Sequence, residues 1–305
     1  MITEVITIII SILLITIFSV ILEGIRSKVK ALLQMREGGE ITHEIYDLFS
    51  LLSMKGVLPT RTSLIHVLTP YMTFSLSVAL GLSVPFGLMS VMGGDILVVI
   101  LVVLAVAFIV SVPSMVISNI YANIGASREV ILVSTGLMPL VVACSSFVIK
   151  FGTLSIVDIA KSITLSLSDI IAICVIGYAV YVLSEFTPFD ISRSETEIIN
   201  GVLSEYGGRL LGLMEWSLYI RRFSLIMFFS TFLAAPLIGK TFGFSSILSH
   251  FLTLLLQIVF VVSYYMIASM VEERHARARV DHVIRLNGVF VLVGLISVVL
   301  SLIGM

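Results

Sequence analysis

The chain has 305 residues, 58% of them hydrophobic and 12% charged, with a mean hydropathy of +1.16. A soluble domain carries about 25% charged residues, so a water-soluble fold is excluded. The formal net charge of -1 provides no overall field that would gather nucleic acid, and the placement of the charges matters more than their sum.

Ile2 to Leu22 is nearly uncharged after Glu4 and long enough to span a bilayer. It lacks a basic leading segment and a small-residue cleavage site, so it reads as a first membrane helix that ends at Glu23. The mixed segment that follows carries Arg26, Lys28, Lys30, Arg36, Lys55 and Arg61. Within it, Ile45, Leu48, Phe49, Leu51 and Leu52 form an apolar stripe that predicts an amphipathic helix lying along the membrane interface. Further spans are expected at Leu64 to Val84, Ile96 to Ile117, Val130 to Ile149, Ile170 to Leu183, Ser224 to Gly239, Ile247 to Val271 and Leu286 to Ile303. The fold class is therefore an all-α polytopic membrane protein, with residues 1–305 forming a single membrane domain of about eight transmembrane helices.

Lys and Arg collect on the cytoplasmic side of membrane proteins. The odd-numbered loops hold 15 of them and the even-numbered loops only Lys150, Lys161 and Lys240. Both termini are thus expected outside. Segments 23–63, 118–129, 185–223 and 272–285 share the cytoplasmic face, where they can build one site.

The richest of these is Glu185 to Arg222, about an eighth of the chain but more than a quarter of its charged residues. Pro188 takes Thr187 out of helical angles, Asp190 or Ser192 can cap a new helix, and Glu195 and Glu197 fall in its first turn, where the helix dipole favours negative charge. Gly201, Gly207 and Gly208 then interrupt it around Glu205 and Tyr206. An ordered charged loop is predicted rather than a solvated one.

No CxxC pair and no phosphate-cradling glycine loop occurs. Cys144 and Cys174 lie in separate apolar spans and read as core residues. His43, His66, His250, His275 and His282 share no i, i+3 or i+4 face, so no metal site is expected.

Thr187-Pro188-Phe189-Asp190, then Glu195 and Glu197, then Ser204-Glu205-Tyr206-Gly207-Gly208 resemble the PFD-x-x-E-x-E-x-E and EYSG loop of the membrane subunit 1 family of respiratory complex I. The same loop occurs in its relatives in membrane-bound group 4 NiFe hydrogenases. Gly125-Ala126-Ser127-Arg128-Glu129 is similar to the GASRE segment of the hydrogenase branch. Glu23 with Arg26 is similar to the family's ERR-like end of the first helix, and Asp47 to its A-D segment. Glu272 to Arg279, with Arg274, Arg277 and Arg279, resembles the tail before the last span. The step from Glu205 to Glu215-Trp216 follows the hydrogenase spacing.

The resemblance implies a membrane-anchor and coupling subunit of the prokaryotic cell (inner) membrane, without a catalytic centre or cofactor of its own. Its partners would be antiporter-like membrane subunits and, on the cytoplasmic face, peripheral large subunits bearing 4Fe-4S clusters and a NiFe-type centre. Proton or sodium translocation would be linked to their electron transfer. A sulfane-sulfur reductase and a quinone-reducing dehydrogenase use the same kind of subunit. A free-standing secondary transporter is the rival of another class, but it requires an internal repeat that the two halves do not show.

Two family glutamates are replaced here by Leu137 and Leu183, with Glu185 two residues beyond the second position. Arg193 stands in place of a carboxylate and Ser50 in place of a lysine. These departures weaken a proton wire through the chain and leave Glu185 and Glu215 as its remaining candidates, each expected near the cytoplasmic end of a span.

Overall fold

A computed structural model describes residues 2–56, 64–88, 94–117, 119–242 and 247–304. The side chains of residues 2–7, 195–196, 239–242 and 247 are excepted. The expected placements of Arg61 and of the Glu195 and Lys240 side chains therefore lie outside the described residues. Eleven α-helices and one 3-10 turn account for the regular structure among the described residues: α1 (Ile2–Leu33), α2 (His43–Ser53), α3 (Leu64–Ser83), α4 (Ile96–Val116), α5 (Ile120–Phe151), α6 (Ile156–Ser162), α7 (Leu167–Leu183), α8 (Glu195–Ile198), the 3-10 turn Gly201–Leu203, α9 (Arg209–Phe242), α10 (Ile247–Arg274) and α11 (Val280–Ile303).

Seven of the helices are long and apolar enough to cross a membrane. The eighth, α7, has 17 residues. It runs about 26 Å at 1.5 Å per residue, close to the lower limit for a span. The expected set of eight thus stands, with three bounds corrected. Glu23 does not end the first helix, because α1 continues for ten more residues to Leu33. Arg128 and Glu129 belong to the first turns of α5 rather than to a loop. The largest change concerns residues 209–223, expected from the sequence in the polar loop, which are the opening turns of the 34-residue α9. Leu210, Met214 and Leu218 recur every four residues there and are buried, so that stretch has a helical inner face despite its charges.

Helix α9 is the axis of the bundle, packed by α3, α10, α1, α7 and α2. Helix α11 lies on α5 and α7, whereas α10 lies on α9 and α1. Between apolar helices in a lipid phase, van der Waals fit replaces the hydrophobic effect, and every polar group needs an internal partner. Thr16 and Ser19 donate to their own helix at Ile12 O (2.9 Å) and Thr16 O (3.0 Å). The amide of Gln257 on α10 is held by Thr231 Oγ1 (3.1 Å) and the Gly87 N–H (2.8 Å). Cys144 is buried as expected, but Cys174 is exposed on the outer face of α7 and is not a core residue.

The amphipathic helix is α2: Leu48 is buried against the bundle while Tyr46 and Phe49 point outward. It packs on α9 and α1. Helix α8 begins one residue before Thr196, with Ser194 rather than Asp190 or Ser192 at the N-cap position.

At one end of the bundle the loop-side segments touch one another. Arg26 meets Glu272, Ala278 N donates to Pro188 O (2.9 Å), Arg209 Nε donates to Leu52 O (3.3 Å) and Asn119 donates to Glu205. At the other end Asp95 bridges Ser155, and Lys150 Nζ pairs with the buried Asp169 at 2.8 Å.

The 192–203 segment is held against α5 through a glycine contact. A Cβ on Gly125 would stand 2.9 Å from Gly201 Cα and Val202 N and 3.0 Å from Ser192 O, all backbone atoms that cannot step aside. Gly125→Ala is therefore expected to destabilise the chain by about 1–3 kcal/mol, the usual cost of overpacking. It should also make the 195–205 segment the first site of limited proteolysis. An unchanged melting temperature in detergent together with an unchanged cleavage pattern would contradict this packing.

Candidate functional site

Two adjacent arginines of α9, about 100° apart around the helix, serve two different neighbourhoods. Arg221 is only 1% exposed and lies between two carboxylates, Glu129 of α5 at 3.5 Å and Glu185, both fully enclosed. Glu185 follows α7 and takes a left-handed conformation (φ +53°), which turns its side chain back into the bundle. Its other oxygen is 3.2 Å from Arg193 Nε. One branch of the site is thus Glu129, Arg221, Glu185, Arg193.

Arg222 starts the second branch. Its Nε donates to Ser184 O (2.8 Å) and its Nη2 to Glu185 O (3.2 Å), so the turn carrying Glu185 is held by the neighbouring guanidinium. Its Nη1 reaches Glu23 Oε1 at 2.9 Å. Glu23 pairs with Arg26 one turn on, and Arg26 forks onto Glu272 (2.8 and 3.1 Å), which also receives Lys30 at 2.6 Å. The guanidinium carbons of Arg26 and Arg222 stand 5.4 and 5.1 Å from the Phe186 ring centre, so one aromatic ring contacts both cations. Charges alternate along both branches, which is the condition for keeping them out of water. An unpaired buried ion costs several kcal/mol, and a well-formed pair recovers most of that.

Further contacts lie outside this ladder, most of them more exposed. Arg128 Nη1 donates to Glu197 Oε2 (2.7 Å) and to Ile191 O (3.3 Å). The hydrogen bond from Arg128 holds the Glu197 carboxyl below its ordinary range. Asp190 is 3.6 Å from Arg277. Burial pushes its carboxyl up, against the pull of Arg222, Arg193 and Arg277. Burial also lowers Arg193, opposed by Glu129 and Asp190. Tyr206 stacks on His66 with ring centres 4.4 Å apart, and desolvation pushes its hydroxyl up to about 12.

Glu215 takes a different place from Glu185. It lines a polar pocket of about 440 Å³ together with Glu44, Asp47 and Tyr219, between α2 and α9. Asp47, Arg274 and Arg279 are exposed or partly exposed. Of the residues singled out from the sequence, Glu23, Arg26, Glu129 and Glu185 meet in the ladder. Arg128 with Glu197, Asp190 with Arg277, and Glu205 with Asn119 are separate, more exposed pairs, and Tyr206 is buried on His66.

Sequence reasoning noted Arg221, Arg222, Glu272 and Lys30 as charges of the loop-side segments without placing them in the site, and it named Arg193 as a charge of the central stretch and as a departure from the family. The arginine doublet directly before the apolar run Phe223 to Phe229 was the available signal. Two cations at the start of a span need buried acids.

On α5 and α7 next to the ladder, a layer of leucines is buried. Leu132, Leu137, Leu140 and Leu183 are buried, and Gly136 lets Val182 and Leu183 close against α5. Among the described residues no group of three or more His, Cys, Asp and Glu has the arrangement of a metal site.

Arg221→Met would leave Glu129 and Glu185 buried without their shared cation. Its expected cost is about 3–5 kcal/mol, read as a lower melting temperature and lower yield in mild detergent. The triple variant Arg221→Met/Glu129→Gln/Glu185→Gln removes the stranded charges and is expected to recover most of the loss. No recovery in the triple variant would mean that packing rather than charge decides the site.

Residues 5–302 match the family model described as NADH dehydrogenase. The chain is 24% identical over 263 residues to hydrogenase-4 component C of Escherichia coli K12, covering 84% of this chain and 82% of that one. It is 26% identical over 274 residues to formate hydrogenlyase subunit 4 of the same organism, covering 86% and 87%. Its fold is similar to a chain in the structure of a membrane-bound sulfane sulfur reductase, an archaeal respiratory membrane complex, with a TM-score of 0.81, 21% identity and coverage of 97% and 99%. With the match running over nearly its whole length, the chain belongs to the NADH dehydrogenase family.

Proposed function

We propose that this complex I-like membrane subunit couples a peripheral electron-transfer module to ion movement in neighbouring membrane subunits. The module docks on the face bearing the Arg128–Glu197 pair, the Asn119–Glu205 contact and the α2 pocket. The observation that carries the reading is the buried ladder. Arg221 is shared by two acids, so a charge arriving near Arg193 or Glu197 changes which of them holds it. Protonating Glu185, for example, releases Arg221 to Glu129. At an effective dielectric of about 20, charges about 4 Å apart interact by about 4 kcal/mol, enough to bias such a choice.

The apolar layer of Leu132, Leu137 and Leu183 beyond the ladder favours sideways transmission to antiporter-like neighbours over a path straight through the chain. The hydrogenase-type reading draws on the names of the two bacterial relatives, with 4Fe-4S clusters and a NiFe-type centre held by partner subunits. The fold likeness to a sulfane sulfur reductase chain supports the equivalent subunit of such a complex as the second reading. A free-standing transporter receives no support, since that class rests on an internal repeat and the two halves of the sequence show none.

Glu185→Gln and Glu129→Gln are expected to lower ion uptake into inverted vesicles about tenfold or more, with hydrogen or sulfide production slowed alongside it. Glu215→Gln, outside the ladder, is expected to change both by less. Normal ion uptake in Glu185→Gln and Glu129→Gln would remove the ladder from the coupling mechanism. The proposed orientation has a separate check. Tags fused to Met1 and Met305 are expected to be cleaved by protease added to right-side-out vesicles, and protection of both tags would reverse it.

A further inference from the structure

Helices α10 and α11 are consecutive and share a membrane end, yet they pack on different partners: α10 on α9 and α1, α11 on α5 and α7. Over α7 they leave a groove. Its inner part, about 380 Å³, is walled by Tyr178 and Tyr181 of α7 and by Tyr264 and Ile267 of α10. Each tyrosine hydroxyl is already used inside the protein. Tyr178 donates to Asn287 Oδ1 (2.8 Å), Tyr181 to Thr187 O (2.5 Å) and Tyr264 to Gly177 O (2.8 Å). The groove is therefore offered ring faces and aliphatic carbon, and no free hydroxyl from these tyrosines. Phe290 of α11 stacks on Tyr178 with ring centres 3.5 Å apart and ties α11 to the floor.

At its upper end this stem opens, past Pro188 and His275, into a second pocket of about 490 Å³ that contains His282 and Arg285. His282, Arg285, Leu286 and Val289 follow one stripe of α11 and pass from polar to apolar within two turns. None of the residues lining either pocket is acidic. The Ala278 N–H donated to Pro188 O (2.9 Å) holds the rim in place.

We infer that this groove is a binding site for an anionic phospholipid, with an acyl chain along Tyr178, Tyr264 and Ile267 and the phosphate at His275, His282 and Arg285. A phosphate diester joined to apolar tails is the membrane component with this division of charge, and a basic pocket between membrane helices recognises such headgroups. The site is separate from the ladder and does not depend on which soluble module the chain serves.

The test uses the purified membrane complex containing the full chain, stripped of lipid and then supplied with dioleoyl phosphatidylglycerol or dioleoyl phosphatidylcholine. Lipid retention is read by native mass spectrometry. Wild type is expected to retain phosphatidylglycerol over phosphatidylcholine, a comparison that needs no variant. Arg285→Gln should lower phosphatidylglycerol retention about fivefold, the usual worth of one cation near a headgroup. Ile267→Trp, which fills the stem, should lower retention of both lipids, and Lys28→Gln, an exposed cation on α1, should change neither. Three outcomes would overturn the proposal: equal retention of the two lipids by wild type, as large a loss in Lys28→Gln as in Arg285→Gln, or a photo-cross-linker at position 267 that labels a neighbouring subunit instead of lipid.

Discussion

The enclosure of Arg221 between Glu129 and Glu185 is the constraint on which the rest of this protein depends. A guanidinium exposed to 1% cannot remain charged in an apolar bundle unless acids come to it, and three separate parts of the chain supply the arrangement. Helix α5 is extended at its beginning so that Glu129 is within reach. Helix α7 stops early, and its chain turns left-handed at Glu185. Helix α9 carries the arginines well inside a long helix, where its hydrogen-bonded backbone fixes their height. The polar end of the bundle is thus assembled by a network of charges, whereas its opposite end carries the single buried pair of Lys150 and Asp169.

The ladder also explains the shape of the loop after α7. Arg222 holds the carbonyls of Ser184 and Glu185, Glu272 receives the Thr187 N–H at 3.3 Å, and Phe186 lies beside two guanidinium groups. A segment of mixed polarity is fixed through its backbone by residues of α9 and α10. Arg221 faces two acids, and Glu185, Glu23 and Glu272 each face two cations, so one set of charges ties the loop to α1, α5, α9 and α10. Leu132, Leu137 and Leu183, buried in α5 and α7 beside this network, bring no titratable group to it.

Composition and apolar run length sufficed to establish an all-α membrane chain and eight spans, because the bilayer demands long uncharged segments and leaves their signal strong. The amphipathic α2 was legible in its apolar stripe. Glu23, Arg26 and Glu129 could be named from segments that resemble those of the family, and Glu185 as the acid two residues beyond a position where the family has a glutamate. Helix ends were not legible, since the four charges of Arg209 to Arg222 argue for a loop while its apolar residues, spaced for a helical face, become decisive only when seen buried. Tertiary structure alone decided which charges meet. Arg221 and Glu129 are 92 residues apart, and Arg26 and Glu272 are 246 apart, distances over which no local pattern carries information. Ion pairing depends on separation in space and on exclusion of water. Sequence sets the supply of charges, but the packing of α1, α5, α9 and α10 against one another sets their partners.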